Sequence, residues 1–296
     1  MKLDVNKLLF NGAGVLIGLF AVGYAVNDLM STETTKACEQ RYAVSTLFPV
    51  TNAQGALLSP IELQAMAGSR EQGILKRARL VEVGGAPAPA VLEIHFARGE
   101  TKSDQRTQPR ADAAATGTSG IAMQWMPGDV SGAASACLTY SAYLPADFDF
   151  GDGGMLPGLF GGTRFDGHER GEQKPGFAAR VTWREKGVGD ANVQVPKNAD
   201  KHGTSIARDR YQFVRGKWMT IEQEVVLNTP KQANGVYRLW VDGAMKVERT
   251  NLTWRDDDKT TIDGVVGSVG FGTFDRPAGA PRESHVRISP FELRWK

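Results

Sequence analysis

The sequence predicts an all-β fold, a sandwich of two sheets or a jelly roll, on three observations. Apolar and polar residues alternate in many short runs, turn-forming residues break the chain between the runs, and Asp242-Gly243 separates the alternating segments YRLWV and AMKVE. A two-residue loop of this kind needs the positive φ that Gly tolerates, which makes it a hairpin signal. The alternation begins after Val91: Leu92, Ile94 and Phe96 face one way, Glu93 and His95 the other, as in a half-buried strand. Further strands are predicted over residues 121–126, 137–144, 177–184, 191–195, 218–227, 236–241, 245–250, 265–274 and 285–295. One short helix precedes them, with Ser59 as N-cap, Pro60 at the first helical position, Glu62 reaching back and Gly68 as the stop. Residues 99–119 lack apolar periodicity and read as a long surface loop. Residues 151–162 hold six glycines in twelve positions and read as a tight loop on a sheet rim. No Gly-Lys-Ser/Thr follows them, so a phosphate loop is discounted.

The N-terminus is of a different kind. Between Lys7 and Asp28 lie twenty uncharged residues, which as a helix reach about 30 Å, enough to cross the hydrocarbon core of a membrane. Residues 1–30 therefore read as a transmembrane anchor or a signal helix. Lys2 and Lys7 before the run, with Asp28 and Glu33 after it, place the N-terminus in the cytoplasm and the remainder on the periplasmic or extracellular side. An uncleaved anchor is the favoured reading; cleavage near Gly23-Tyr24-Ala25 and secretion is the alternative. Residues 31–55 read as a polar linker and 56–296 as the sandwich. Export permits a disulfide, and Cys38 with Cys137 is the one intrachain pairing available.

Composition narrows the function. Thirty-five Lys and Arg stand against 33 Asp and Glu, a net charge of +2, so bulk charge offers no grip on nucleic acid. Two cysteines exclude a Cys-built zinc site, and the four histidines, His95, His168, His202 and His285, contain no close ligand pair. No metal and no cofactor is expected.

The glycine-rich segment sits between the strand CLTYSAYLP and the strand FAARVTWRE, with WMTIEQEVVLNTP and GVYRLWVDG further on. In this order the segments resemble the alginate and glucuronan lyases of polysaccharide lyase families 14 and 20. Those families are similar in a Gly-Gly-Lys-Leu-Pro-Gly-Leu loop, an arginine strand, and a Trp…Leu-Asn-Thr-Pro strand before a Trp-x-Asp-Gly turn. The resemblance spans about residues 118–296. It implies a jelly-roll, concanavalin-like sandwich and β-elimination on an anionic uronate polysaccharide. The site residues carry over unevenly. The family's loop lysine falls on Met155, its Ser-x-Arg pair on Ala178 and Arg180, and its tyrosine pair on Asn192 and Gln194. Ser205-Ile206-Ala207-Arg208 is similar to the families' Ser-Ile-Gly-Arg stretch.

Elimination needs a cation on the carboxylate, a base for the C5 proton and an acid for the leaving oxygen. Alternation in FAARVTW sets Ala178, Arg180, Thr182 and Arg184 opposite Phe177, Ala179, Val181 and Trp183, and the planar fork of Arg180 suits the first role. His168 and Tyr211 are the candidate acid–base groups, each with an ordinary surface or packing role as its alternative. Arg164, Arg184, Asn192, Gln194 and Arg208 are candidate substrate-binding residues. A non-catalytic carbohydrate-binding or envelope-structural module is the competing class, given Met155, Ala178, Asn192 and Gln194. A glycoside hydrolase is the lower alternative: Glu222 and Glu224 share a strand face about 7 Å apart, a spacing that suits a carboxylate pair or simple solvation. Asp256-Asp257-Asp258 reads as a charged turn rather than a calcium loop. Trp125, Trp218, Trp240 and Trp295 read as sugar platforms or core.

Overall fold

Seventeen short strands follow one another among the described residues of a computed structural model, and the apolar side of their alternation decides which faces meet. The structure describes residues 37–67, 73–99, 119–130, 132–162, 176–195, 203–272 and 279–296. The chain divides into Met1–Thr35, outside the described residues, and Lys36–Lys296, to which everything below refers. The strands are β1 (Val44–Leu47), β2 (Ala78–Val81), β3 (Val91–Phe96), β4 (Ser119–Ile121), β5 (Gln124–Trp125), β6 (Ser135–Tyr143), β7 (Gly154–Gly161), β8 (Phe177–Trp183) and β9 (Gly189–Gln194). They continue with β10 (Thr204–Ser205), β11 (Trp218–Val226), β12 (Gly235–Val241), β13 (Ala244–Leu252), β14 (Ile262–Val266), β15 (Val269–Phe271), β16 (Ser284–Ile288) and β17 (Glu292–Trp295). Three short helices accompany them, α1 (Ala37–Arg41), α2 (Pro60–Ala67) and α3 (Ile74–Arg77).

The strands form two antiparallel sheets. The first runs β13-β12-β11-β6-β16-β3-β2, with β17 on β6 and β1 on β17; the second runs β10-β9-β8-β7-β14-β5, with β15 on β7 and β4 on β15. The main core lies between them: Leu138, Tyr140, Ile221, Val225, Tyr237 and Leu239 from the first sheet meet Leu156, Leu159, Phe177, Val181, Trp183 and Val193 from the second. Asp242 and Gly243 take φ of 50° and 73° and join β12 to β13 in two residues, as the hairpin signal required. At the start of α2 the Ser59 backbone N–H donates to Glu62 Oε2 at 2.7 Å and the Glu62 N–H donates to Ser59 Oγ at 3.4 Å, the expected capping box.

Several expectations are corrected. Residues 31–55 are not a linker throughout: α1 and β1 lie there, and Cys38, Tyr42 and Phe48 are buried. Besides the expected α2, the described residues hold two further helices, α1 and α3, which are too short for a periodic signal and are held by tertiary contact. The predicted runs 265–274 and 285–295 are each split, into β14 and β15 and into β16 and β17. β1, β2, β7 and β10 lie outside every predicted run, and the run 121–126 reaches only the last residue of β4 before β5. The expected membrane span and Gly68 lie outside the described residues; among the described residues no helix is long and apolar enough to cross a membrane. The 99–119 loop falls almost wholly outside them too.

The largest correction concerns the glycine-rich segment, which is not a rim loop but the buried strand β7, with neighbours on both sides. Leu156 and Pro157 together stand opposite the single residue Val181 of β8, a bulge. The extra residue turns Met155 and Gly158 to the outer face while Leu156 and Leu159 face the core, so period-two alternation is broken. Pro157 has no N–H to give to a ladder, which is why a bulge suits it. Its carbonyl accepts from Tyr140 Oη at 3.0 Å and from Gln223 Nε2 at 2.8 Å, both from the first sheet, and Tyr237 Oη donates to Gln223 Oε1 at 3.2 Å. Gly158 cannot be replaced cheaply, since a Cβ there would lie 1.8 Å from the Ala179 carbonyl oxygen.

The outer face of the first sheet carries α1. Cys38 is joined to Cys137 of β6 with Cα atoms 5.4 Å apart, and the two pack with Tyr42 and Trp240. Beneath them Glu222 and Glu224 are neither solvated nor a glycosidase pair, for both are buried and spoken for. Glu222 Oε1 accepts the Cys38 N–H at 2.9 Å, and Glu224 accepts from Arg41 Nε and Tyr42 Oη, each at 2.8 Å, and from Arg238. Burial pushes the Glu224 carboxyl up, but the donors from Arg41, Arg238 and Tyr42 outweigh it and hold it below its ordinary value. The disulfide closes a sequence separation of 99 residues, worth about 4–5 kcal/mol as lost freedom of the unfolded chain. Replacing both Cys38 and Cys137 with Ser should therefore lower the free energy of unfolding by an amount of that order, read from urea curves of the two proteins. An unchanged free energy would show that the crosslink contributes nothing to the fold.

Candidate functional site

The outer face of the second sheet is where alternation and the bulge deliver polar side chains. Cross-strand register arranges them in three rows over β7, β8 and β9: Phe160–Ala178–Gln194, then Gly158–Arg180–Asn192, then Met155–Thr182–Asp190. All of these are buried, Arg180 at 3% exposure and Asn192 at 7%. The first row is closed by a small apolar cluster of Phe160, Ala178 and Val266. Arg180 occupies the centre, opposite the side-chain-free Gly158, and its Nη1 lies 3.8 Å from Met155 Sδ. Burial alone pulls its guanidinium down to about 10, so it remains protonated at neutral pH. Asn192 and Gln194 stand beside it on β9, and Gly203, at φ 86°, lies so close that a Cβ would fall 2.5 Å from Asn192 Oδ1. A buried guanidinium outside the core is expensive to keep, and its five donors suit a carboxylate in two bonds.

The third row ends on Asp190, a residue in no motif of the sequence. Its fully buried carboxylate accepts from Ser205 Oγ at 2.6 Å, from Arg184 Nη2 at 3.2 Å and from the Ala191 N–H at 2.8 Å, and Arg208 Nε lies 3.6 Å away. Arg184 and Arg208, predicted as separate sugar contacts, are thus brought to one acid at one end of the face. Arg208 is the more open of the two, its side chain 54% exposed. The signal was present in GDANVQ, where Asp190, Asn192 and Gln194 alternate with Ala191 and Val193.

Tyr211 does not join the Arg180 row. Its ring packs on Gly189 and the main core, and its hydroxyl donates to the Asp190 carbonyl at 2.9 Å. Burial, with the neighbouring Tyr237, Tyr140 and Asp190, pushes the phenol well above its ordinary value, the wrong direction for a base. Arg164 and His168 lie outside the described residues. None of the described side chains in the three rows is a phenol, an imidazole or an amine. Among the described residues there is no group of three or more His, Cys, Asp or Glu that could hold a metal. Asp257 Oδ1 accepts the backbone N–H groups of Lys259 and Thr260, a turn. Trp125 is core and Trp240 is covered by α1, whereas Trp218 is half-buried against Tyr143.

Fold and face together define a class: a jelly-roll-like β-sandwich with an arginine buried on the outer face of one sheet. The family model described as Polysaccharide lyase 14 matches residues 86–291, and the chain belongs to that family. Among solved structures it is similar to the PL-14 alginate lyase of Aplysia kurodai, at 20% identity and TM-score 0.63, over 86% of this chain and 99% of that one. It is similar also to an alginate lyase from Chlorella virus, at 17% identity and TM-score 0.65, over 85% and 99%. A third is the endo-β-1,4-glucuronan lyase of the fungus Trichoderma reesei, at 10% identity and TM-score 0.53, over 86% and 96%. At these identities the likeness is one of fold. No curated protein sequence matches the chain.

Asp190→Asn should lower stability by about 1–3 kcal/mol, because a charged acceptor of two arginines and a hydroxyl becomes a neutral amide. Urea unfolding of the variant beside the parent checks this, and an unchanged midpoint would remove Asp190 as the organiser of Arg184, Ser205 and Arg208.

Proposed function

We propose that the protein is a polysaccharide lyase acting by β-elimination on a uronate polymer, with the outer face of the second sheet as its cleft. The observation that carries this reading is Arg180, a protonated guanidinium at the centre of a buried polar face. Its role is to take the uronate carboxylate in two charge-assisted bonds, which neutralises the group and acidifies the C5 proton. Asn192 and Gln194 flank it as amide donors, and Arg184 and Arg208, organised on Asp190, hold a neighbouring sugar. His168 is the remaining candidate among the predicted acid–base groups, since the Tyr211 hydroxyl is committed to a backbone carbonyl.

A second reading, a carbohydrate-binding module of the same fold without the chemistry, is favoured by one observation. Met155 stands where the resembling families carry a lysine, and its thioether lies beside Arg180. Both readings share the grip and differ in the outcome of one assay. Residues 31–296 are incubated with polymers of mannuronate, guluronate and glucuronate while the ultraviolet absorbance of the new C4=C5 double bond is followed. Rising absorbance with one of the polymers is expected; binding without it selects the module, and neither outcome on any polymer defeats the uronate assignment. Arg180→Ala should weaken binding of that polymer ten- to a hundredfold, about 1.5–3 kcal/mol, with the melting curve little changed. Arg180→Lys should recover part of the loss, because an ammonium keeps the charge but loses the fork.

The proposed setting is outside the cytoplasm, the protein anchored by its N-terminal segment or secreted. The Cys38–Cys137 disulfide supports this, since such bonds persist in oxidising compartments. An enzymatic reporter fused after Lys296 should be active only on the far side of the membrane. Activity in the cytoplasm would contradict this placement.

A further inference from the structure

The outer face of the first sheet is only partly covered by α1. Beyond it a single row of side chains crosses five adjacent strands: Arg79 of β2, Glu93 of β3, Arg287 of β16, Tyr143 of β6 and Trp218 of β11. Four interstrand steps make this row about 19 Å long. Its groups touch in sequence. Arg79 Nη2 meets Glu93 Oε1 at 2.7 Å, Arg287 Nε meets Glu93 Oε2 at 2.8 Å, the Arg287 guanidinium lies 5.7 Å from the centre of the Tyr143 ring, and the Tyr143 and Trp218 rings are 5.4 Å apart. In the next row His95 and His285 face each other with ring centres 5.9 Å apart, and His95 Nε2 lies 2.8 Å from Glu93 Oε1.

The single acid is at the bottom of this row and the cations are at its top. Glu93 is 5% exposed, and although burial opposes it, hydrogen bonds from Arg79, Arg287 and His95 hold its carboxyl down to about 2. Arg79 is 59% exposed, and each guanidinium keeps donors that Glu93 does not use. The row thus offers two fixed cations against one sunken anion, with two imidazoles beside them and a half-buried indole at one end. Aromatic faces take the apolar side of a sugar ring, and guanidinium forks take carboxylates.

We propose that this row is a second binding surface for a uronate polysaccharide, on the sheet opposite the Arg180 face. The charge pattern selects an anionic chain, and the flat alignment of one aromatic end with two arginine positions selects an extended one. For the identity of its ligand this rests on the uronate reading given above.

The test is calorimetric titration of the full chain with a uronate tetrasaccharide, tried as mannuronate, guluronate and glucuronate. The expected result is about two tetrasaccharides per chain, one lost in Arg180→Ala and the other in Trp218→Ala. Arg79→Gln, a change at an exposed position, should weaken that second site at least tenfold, and melting curves of each variant keep folding out of the comparison. One site per chain, lost in Arg180→Ala and untouched by Trp218→Ala and Arg79→Gln, overturns the proposal and leaves the Arg180 reading standing. No binding of any tetrasaccharide by the parent protein defeats the uronate reading and this proposal with it.

Discussion

The carbonyl of Pro157 is the point on which the site depends. It belongs to a residue that cannot donate to a ladder, in a strand that carries one residue more than its neighbour at that position. A free carbonyl buried between two sheets would cost about 1–3 kcal/mol. Here Tyr140 and Gln223 reach across from the first sheet to satisfy it, and Tyr237 fixes Gln223 in turn. The clasp ties the two sheets together where β7 is irregular. Because of the bulge, Met155 and Gly158 share the outer face, three residues apart where regular pleating would separate them. Arg180 therefore finds a glycine opposite it and a thioether beside it.

Similar chemistry recurs on the two outer faces. On the first sheet, buried carboxylates meet arginines: Glu224 holds Arg41 and Arg238 under a disulfide-bonded helix, and Glu93 holds Arg79 and Arg287 on the uncovered part. On the second sheet, Asp190 plays that part for Arg184 and Arg208 at one end of the face. Arg180 differs from these arginines in depth: it is 3% exposed in the middle of a buried row, whereas their side chains are 17% to 59% exposed.

Regular pleating was legible and irregular pleating was not. Alternation in FAARVTW assigns Arg180 to the outer face and Phe177, Ala179, Val181 and Trp183 to the core, as the packing shows. The capping box at Ser59 and the turn at Asp242-Gly243 are local chemistry and were read directly. In β7 the glycines signal close approach of neighbouring chains rather than a loop, a distinction that lies in the partner strands and not in the segment itself. α1 is five residues long and its stability comes from Cys137, Glu222 and Glu224, about a hundred or more positions away. For the same reason Glu222 and Glu224 looked like exposed strand carboxylates. In the site, Asn192 and Gln194 were placed beside Arg180 through resemblance and alternation, while Asp190, two residues earlier on the same face, carried no motif to draw notice.

Family, fold and the arginine-centred face support the proposal of a sandwich that holds a uronate chain against the second sheet. A crystal structure of the full chain with a bound uronate tetrasaccharide addresses that claim most directly. The account predicts a sugar carboxylate bridged by the Arg180 guanidinium at about 2.7–2.9 Å, with Asn192 or Gln194 on the same sugar. A structure in which no carboxylate reaches this face, and Arg180 is engaged by protein groups alone, would contradict it.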